Sequence, residues 1–538
     1  MKEKANSSGV GQNQDPAAGQ ASVVVPPEIP PAAVKPAGAE FSKRKVGNLY
    51  YTRSGLGILF FWLIIFDFIF VLAENHVAPV LQVHLKRLGI SNTLFSTFLV
   101  MIPSIMNFFM NPLVGIKSDR HRGPRGRRIP FLIYSTPFVC VFMAILGFGN
   151  EIAAFLHAHF FPSSEYNTVA IWTFLFGFTV FSLANLFPNI LFGYLFNDVV
   201  PKGHIVKFMS LLRIPGLVAG MVFNFFFFGF TNKTAPLNID LGFFQYHSEA
   251  FWYPKFILIG LAIFFAIFFP IACLMIKEPN YPPPPPLAEG QRLSHRLKST
   301  LKTLATECFS HKFYVMFFIT MSMDAVATIL GSYQTPMLDS MGVNFDYLGK
   351  IQTATGFISG ILLLLTAGFG DRWRPLSVMV VGWVLTVVTA PTGLLFLIPG
   401  LSPDTYMWIR ALYAVVHIPV NLTLGLAGGA LAMSLLPRER FGQFCAANAM
   451  LRVILAQVVG LILGTLFLNL MEWLYANMKW IPAEPQYYLR YCFVWQMFFQ
   501  IIVLICFVIL FRMWKKLGGK TGYVPPPVGK VKTAEASV

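Results

Sequence analysis

The stretch NPLVGIKSDRHRGPRGRRIPF, residues 111–131, sets Lys117, Arg120, Arg122, Arg125, Arg127 and Arg128 between two long apolar runs, Asn92–Ile116 and Pro130–Asn150. Each run has the roughly 20 residues needed to cross about 30 Å of hydrocarbon. Backbone groups in lipid must bond within their own segment, so the runs are helices. The apolar residues are continuous and do not alternate, which excludes a barrel. A short loop this basic is what the positive-inside bias places on the cytoplasmic face.

Working outward, ten further runs share this character: Gly55–Val80, Val169–Leu195, Ile205–Phe230, Trp252–Ile276, Lys312–Thr335, Tyr347–Phe369, Leu376–Ile398, Thr405–Leu435, Phe441–Leu470 and Leu489–Trp514. The expected fold is an all-α integral membrane protein of twelve spans. Composition agrees, since 55% of the 538 residues are hydrophobic, 12% are charged and the mean hydropathy is +0.61. Basic residues recur after run six (Lys277, Arg292, Arg296, Lys298, Lys302), run eight (Arg372, Arg374) and run ten (Arg438, Arg440). Lys86 and Arg87, after run one, are an exception. The alternation puts both termini in the cytoplasm and the chain in the plasma (inner) membrane. Spread over short loops, the net charge of +17 does not point to nucleic acid.

Residues 1–46, rich in Ala, Pro and Val, read as a disordered cytoplasmic tail. A first six-helix half follows over 47–276, then a linker over 277–312, a second half over 313–514 and a tail over 515–538. The linker carries Pro282–Pro286 and a basic, amphipathic segment around Leu293–Leu304, suited to lie on the membrane surface. The first run starts too late, and is too long, for a cleaved signal peptide. The six cysteines form no paired framework.

The halves repeat. Asp67 in run one corresponds to Asp324 in run seven, and Asp119-Arg120 to Asp371-Arg372. Val199-Val200-Pro201-Lys202 with Phe208 is echoed by Leu435-Leu436-Pro437-Arg438 with Phe444. Six-helix repeats related by a pseudo-two-fold imply a site between the halves near the midplane, with access alternating by rocking.

Gly115-x3-Asp119-Arg120 followed by Gly126-Arg127-Arg128 resembles the loop between helices two and three of the major facilitator superfamily. The ordinary loop has one residue between its Asp-Arg and Gly-Arg pairs; this chain has five. The longer form, with Pro112 before it and Pro130-Phe131 after it, is similar to that of the sucrose-type and glycoside–cation symporter branches. Two departures stand out. Pro124 occupies a position where sucrose-type loops carry arginine. Asn107 and Asn111 stand where the glycoside branch has sodium-binding acids, which makes a proton the expected coupling ion ahead of sodium. The resemblance implies a secondary transporter, usually a monomer, whose loop belongs to a gate. Asp119 would then face the positive N-terminal end of helix eleven, and Asp198 would pair with a loop arginine.

Ionisable groups at bilayer depth are costly and are functional candidates by default. Glu74 lies seven residues after Asp67, on nearly the same helical face and about 10 Å along the axis. The pair reads as a proton site; alternatively Glu74 reaches outward and Asp67 meets an arginine. Arg213 in run five is the natural counter-charge, or an interfacial cation at a helix end. Asp324 and Arg452 form the equivalent set in the second half, with Asn448 one turn from Arg452. Asn185 and Asn189, around Pro188, suit sugar hydroxyls or interhelical bonds. His417, Asn421 and Arg410 share a face of run ten, where a histidine can equally be structural. Trp62 and Trp495 could stack on a sugar or belong to lipid-facing belts.

The expected function is symport of a small polar solute, a sugar or glycoside, with protons. The alternatives are a proton-driven exporter of amphipathic compounds and a sensor that moves nothing. No phosphate-binding glycine loop, metal-ligand cluster or nucleophile arrangement points to an enzyme, a cofactor or a metal.

Overall fold

The computed structural model describes residues 45–46, 48–201, 213–240, 245–281, 308–370, 374–437, 441–477 and 484–527. Ten of its helices are long and apolar enough to cross a membrane, and a bent pair makes an eleventh. A shorter apolar helix occupies the twelfth place.

In the first half these are α1 (Arg53–Arg87), α2 (Asn92–Arg120), α3 (Ile129–Gly147), α4 (Tyr166–Val199), α5 (Arg213–Phe226) and α6 (Pro254–Met275). In the second half they are α7 (Lys312–Ser340), α8 (Phe345–Gly370) and α9 (Pro375–Leu397). After these come α10 (Pro403–Val416 bent by 40° onto Ile418–Leu435), α11 (Phe441–Arg452 continuing through Leu461–Asn477) and α12 (Tyr487–Lys516).

Starts follow local chemistry. Thr52 and Ser91 cap α1 and α2 through their hydroxyls. Proline opens α3, α6, α9 and α10, where its missing N–H costs nothing. The break in α10 falls at His417, just before Pro419, which cannot complete the helical ladder.

Helix does not account for everything. Thr234–Asp240 pairs antiparallel with Gln245–Trp252 between α5 and α6, and Lys45–Val46 pairs with Leu49–Tyr50. The spans themselves are all helical, as expected, and these two hairpins lie outside them. Pro236 lacks an N–H, and the hairpin register shifts beside it, between Ala235 and Leu237. The third apolar run ends earlier than expected, at Gly147, and a separate helix Gly149–His159 follows.

One buried cluster joins α1, α2, α3, α4 and α6 and reaches the near ends of α7, α11 and α12. A second is built from α7, α9, α10, α11 and α12. Among the described residues the halves meet where α1 touches α7 and along two further seams. Along one, α5 packs on α8, where Gly349, Gly356 and Gly360 face Asn224, Met221 and Leu217. A Cβ at Gly349 would strike the Asn224 carbonyl, so close backbone approach fixes glycine there. Along the other seam α2 meets α11, and both helices widen into a π-turn, at Thr97–Met101 and Val453–Gly460. Past α12 the chain folds back on the second half: Tyr523 donates to the Leu435 carbonyl at 2.7 Å, and Tyr314 to that of Pro526 at 2.6 Å.

Candidate functional site

Three groups of polar residues stand out: the arginine loop, the interior of the helix bundle, and the end opposite the loop.

In the loop, Asp198 at the end of α4 receives Arg127 through two bonds, at 2.9 and 2.5 Å, and Arg128 Nε at 3.1 Å. Arg128 also donates to Asp119 and to Ser118, and Arg127 lies 3.3 Å from Asp119. Arg128 is almost wholly buried, its side chain 4% exposed, whereas Asp119 is 53% exposed. Burial opposes the charge on Arg127, but its bond to Asp198 and the surrounding negative charge hold its pKa above the ordinary value. Its guanidinium lies 4.1 Å from the centre of the Tyr281 ring. Burial, then the Asp198 charge, raise the Tyr281 phenol.

Sequence reasoning missed Glu278. Its carboxylate accepts the backbone N–H groups of Arg127, Arg128 and Ile129 at 2.9, 2.8 and 2.7 Å, and so caps α3. Gly126 beside it has φ +100°, and a Cβ there would fall 2.6 Å from Glu278 atoms, so glycine is required twice over. Gly115 packs against the Tyr194 ring, whose hydroxyl donates to Asn111 at 2.8 Å.

Asp119 is held by the arginines of its own loop. Among the described residues its ion-pair partners, Arg127 and Arg128, belong to its own half, and none comes from α11. Arg120 closes α2. Asp371 and Arg372, the echo of this loop, lie outside the described residues.

In the interior, Asn189 on α4 donates its side-chain amide to Glu74 on α1, which brings two of the expected residues together. Asp67 is near enough for its charge to act on Glu74, and it has no hydrogen bond or ion pair among the described residues. Asn185 is buried one turn away. In the second half the Arg452 charge acts on Asp324. Asn448 Oδ1 is buried with no partner among the described residues. His417 is buried, and its Nδ1 lies 2.8 Å from the Tyr413 carbonyl; Asn421 points to the exposed side. Arg213 heads α5, but its side chain lies outside the described residues. Trp495 is a packing residue, its Nε1 donating to the Val326 carbonyl at 3.0 Å; Trp62 is half-buried beside Phe61.

The opposite end ties half to half. Arg87 grips Asp339 of α7 with two 2.7 Å bonds and donates to the Asn232 carbonyl at 2.7 Å. Lys86, 3% exposed, donates to Asn92 Oδ1 at 2.6 Å, with the Phe95 and Tyr333 rings 5.3 Å away. Asn92 passes the contact on to Glu472 at 2.8 Å and Asn469 at 3.1 Å, both on α11. Ser96 joins Tyr333 of α7 at 2.6 Å and Thr465 of α11 at 2.7 Å. The one signal in the sequence was the exception that Lys86 and Arg87 make to the charge bias.

Residues 63–461 match the family model of the Major Facilitator Superfamily. The chain belongs to that superfamily. A major facilitator protein is a transporter and not an enzyme, and its solute binds within the membrane.

Sucrose transport protein SUT4 of Oryza sativa is 29% identical over 107 residues, and sucrose transport protein SUC3 of Arabidopsis thaliana 32%. Each match covers 19% of this chain and 18% of the relative's length. Solved structures with the same fold include a variant of the nucleoside transporter NupG, at TM-score 0.55 and 14% identity over 84% of this chain and 100% of the other. The inward-open xylose transporter XylE of E. coli gives 0.51 and 13% over 90% and 98%.

Proposed function

We propose that this major facilitator protein moves a sugar or glycoside in symport with protons, by alternating access between the two halves. The observation that carries the coupling is the Asp67–Glu74 pair on α1. Both carboxyls sit inside the bundle, and the partner of Glu74 is the neutral amide of Asn189. Among the described residues neither carboxyl meets a cation, and carboxyls so placed at bilayer depth take up and release protons as their access to water changes. The long signature loop and the partial match to sucrose transport proteins support a sugar.

Asn185, Asn189 and Asn448 offer amides to sugar hydroxyls, while the charges of Asp324 and Arg452 face each other in the second half. Gly115, Asp119, Arg120, Arg127, Arg128 and Asp198 brace the gate at the arginine end, which we place on the cytoplasmic side with both termini, in the plasma (inner) membrane. The chain works as a monomer, and asparagines at 107 and 111 favour the proton over sodium.

The test is uptake into proteoliposomes under an imposed inward proton gradient, with a panel of labelled mono- and disaccharides and Asp67→Asn as control. Accumulation of one sugar that the variant loses is expected. Folded protein that accumulates no sugar on the panel overturns the assignment.

A further inference from the structure

We propose that Arg410 and His417 on α10 form a subsite for a carboxylate and its neighbouring hydroxyl, which makes the solute an acidic sugar. The inference rests on the sugar reading above for the ring that carries the carboxylate.

At about 100° per residue, Trp408, Leu412 and Val415 cluster on one face of the first segment of α10, and all three are exposed. Arg410, Tyr413 and His417 fall on the opposite face, turned into the second half. An arginine at this depth is expensive unless something answers its charge. Arg410 meets no carboxylate among the described residues, and its guanidinium lies 5.3 Å from the centre of the Tyr413 ring. Tyr413 in turn stacks on the His417 ring at 3.9 Å and 23°. Gln334 on α7 holds Gln496 on α12 at 3.2 Å, and Gln496 bonds the Tyr413 side chain, so the ring between the two groups is fixed.

The imidazole has an unspent acceptor. Its Nδ1 is bonded to the Tyr413 carbonyl at 2.8 Å, so that nitrogen carries the hydrogen. In the neutral ring Nε2 is then an acceptor, and it is buried without a partner among the described residues, in a side chain only 8% exposed. Buried polar atoms in native proteins almost always find a partner. His417 also sits where α10 breaks by 40°, and broken helices mark substrate sites in transporters. A forked donor and a lone acceptor, bridged by one aromatic ring, match a sugar acid: the carboxylate takes the guanidinium and a ring hydroxyl donates to Nε2.

The full-length protein in lipid nanodiscs is titrated with glucose and with glucuronate, for the wild type, Arg410→Gln and Arg410→Lys. Wild type is expected to bind glucuronate at least about 10-fold more tightly than glucose. Arg410→Gln loses that preference, its glucuronate affinity falling to the level of glucose. Arg410→Lys, which retains the charge without the fork, keeps only part of it, and decides the matter if the glutamine variant does not fold. Equal affinities in wild type, or a preference untouched by either substitution, overturn the proposal. Glucose bound with no glucuronate bound overturns it and leaves the sugar reading standing. Neither sugar bound overturns both.

Discussion

The two ends of the molecule use the same chemistry for different purposes. At the arginine end, Asp119, Asp198, Arg127 and Arg128 pair among themselves, and Glu278 caps the next helix. These ion pairs join residues of the first half, and the cap reaches it from the start of the linker. At the opposite end Arg87–Asp339, Asn92–Glu472 and Ser96–Tyr333 all cross from the first half to the second. Charges that close a half on itself make a rigid body, and charges that close half on half make a latch. Among the described residues, then, the arginine end is braced within the first half and the opposite end is sealed across the two halves.

Four substitutions break or sharpen this contrast. The largest effect is expected from Asp198→Ala, which strands two arginines, one almost fully buried. Removing one partner of a buried pair costs about 3–5 kcal/mol. Thermal unfolding should fall by several degrees, with little change in labelling at the sealed end. Lys86→Met removes the buried cation from the latch and leaves Asn92 and Glu472 without it. A shift of about 2–3 kcal/mol toward opening is expected, read as a large rise in thiol labelling of Cys492, which is buried at that end. Gly126→Ala puts a methyl group into Glu278 at positive φ, and should cost about 1–2 kcal/mol of thermal stability without changing which end is open. Asp339→Asn is the mildest. Arg87 is nearly half exposed, so loss of the pair is worth about 1 kcal/mol, and the labelling change should shrink at high salt.

The sequence makes the braced end more legible than the latched one, for a physical reason. Loop arginines and acids carry charge at the ends of apolar runs, and the charge pattern reveals them even where, as for Arg127 and Asp198, 71 residues separate the partners. The Asp198 pairing is an expectation the charge pattern supports, whereas the Glu74–Asn189 contact joins two candidates that were read separately. Helix count follows from apolar run length, and the six-plus-six division from the linker and the repeated landmarks. The latch joins residues far apart in the chain, with nothing local to announce them; Lys86 and Arg87 showed only as a break in the charge bias. Glu278 was hidden for a related reason, because a cap donated from the start of the linker has no signature beside the helix it caps. The hairpin at Thr234–Trp252 escaped because it lies in the loop between two apolar runs, where run length gives no signal.

The most direct test of the two-ended account is a pair of electron–electron spin distances in a cysteine-free background, Ser163 to Thr405 at the sealed end and Arg125 to Lys516 at the arginine end. Conditions that drive transport should lengthen the first distance and shorten the second together. Distances that stay fixed, or that change in the same sense, would contradict it.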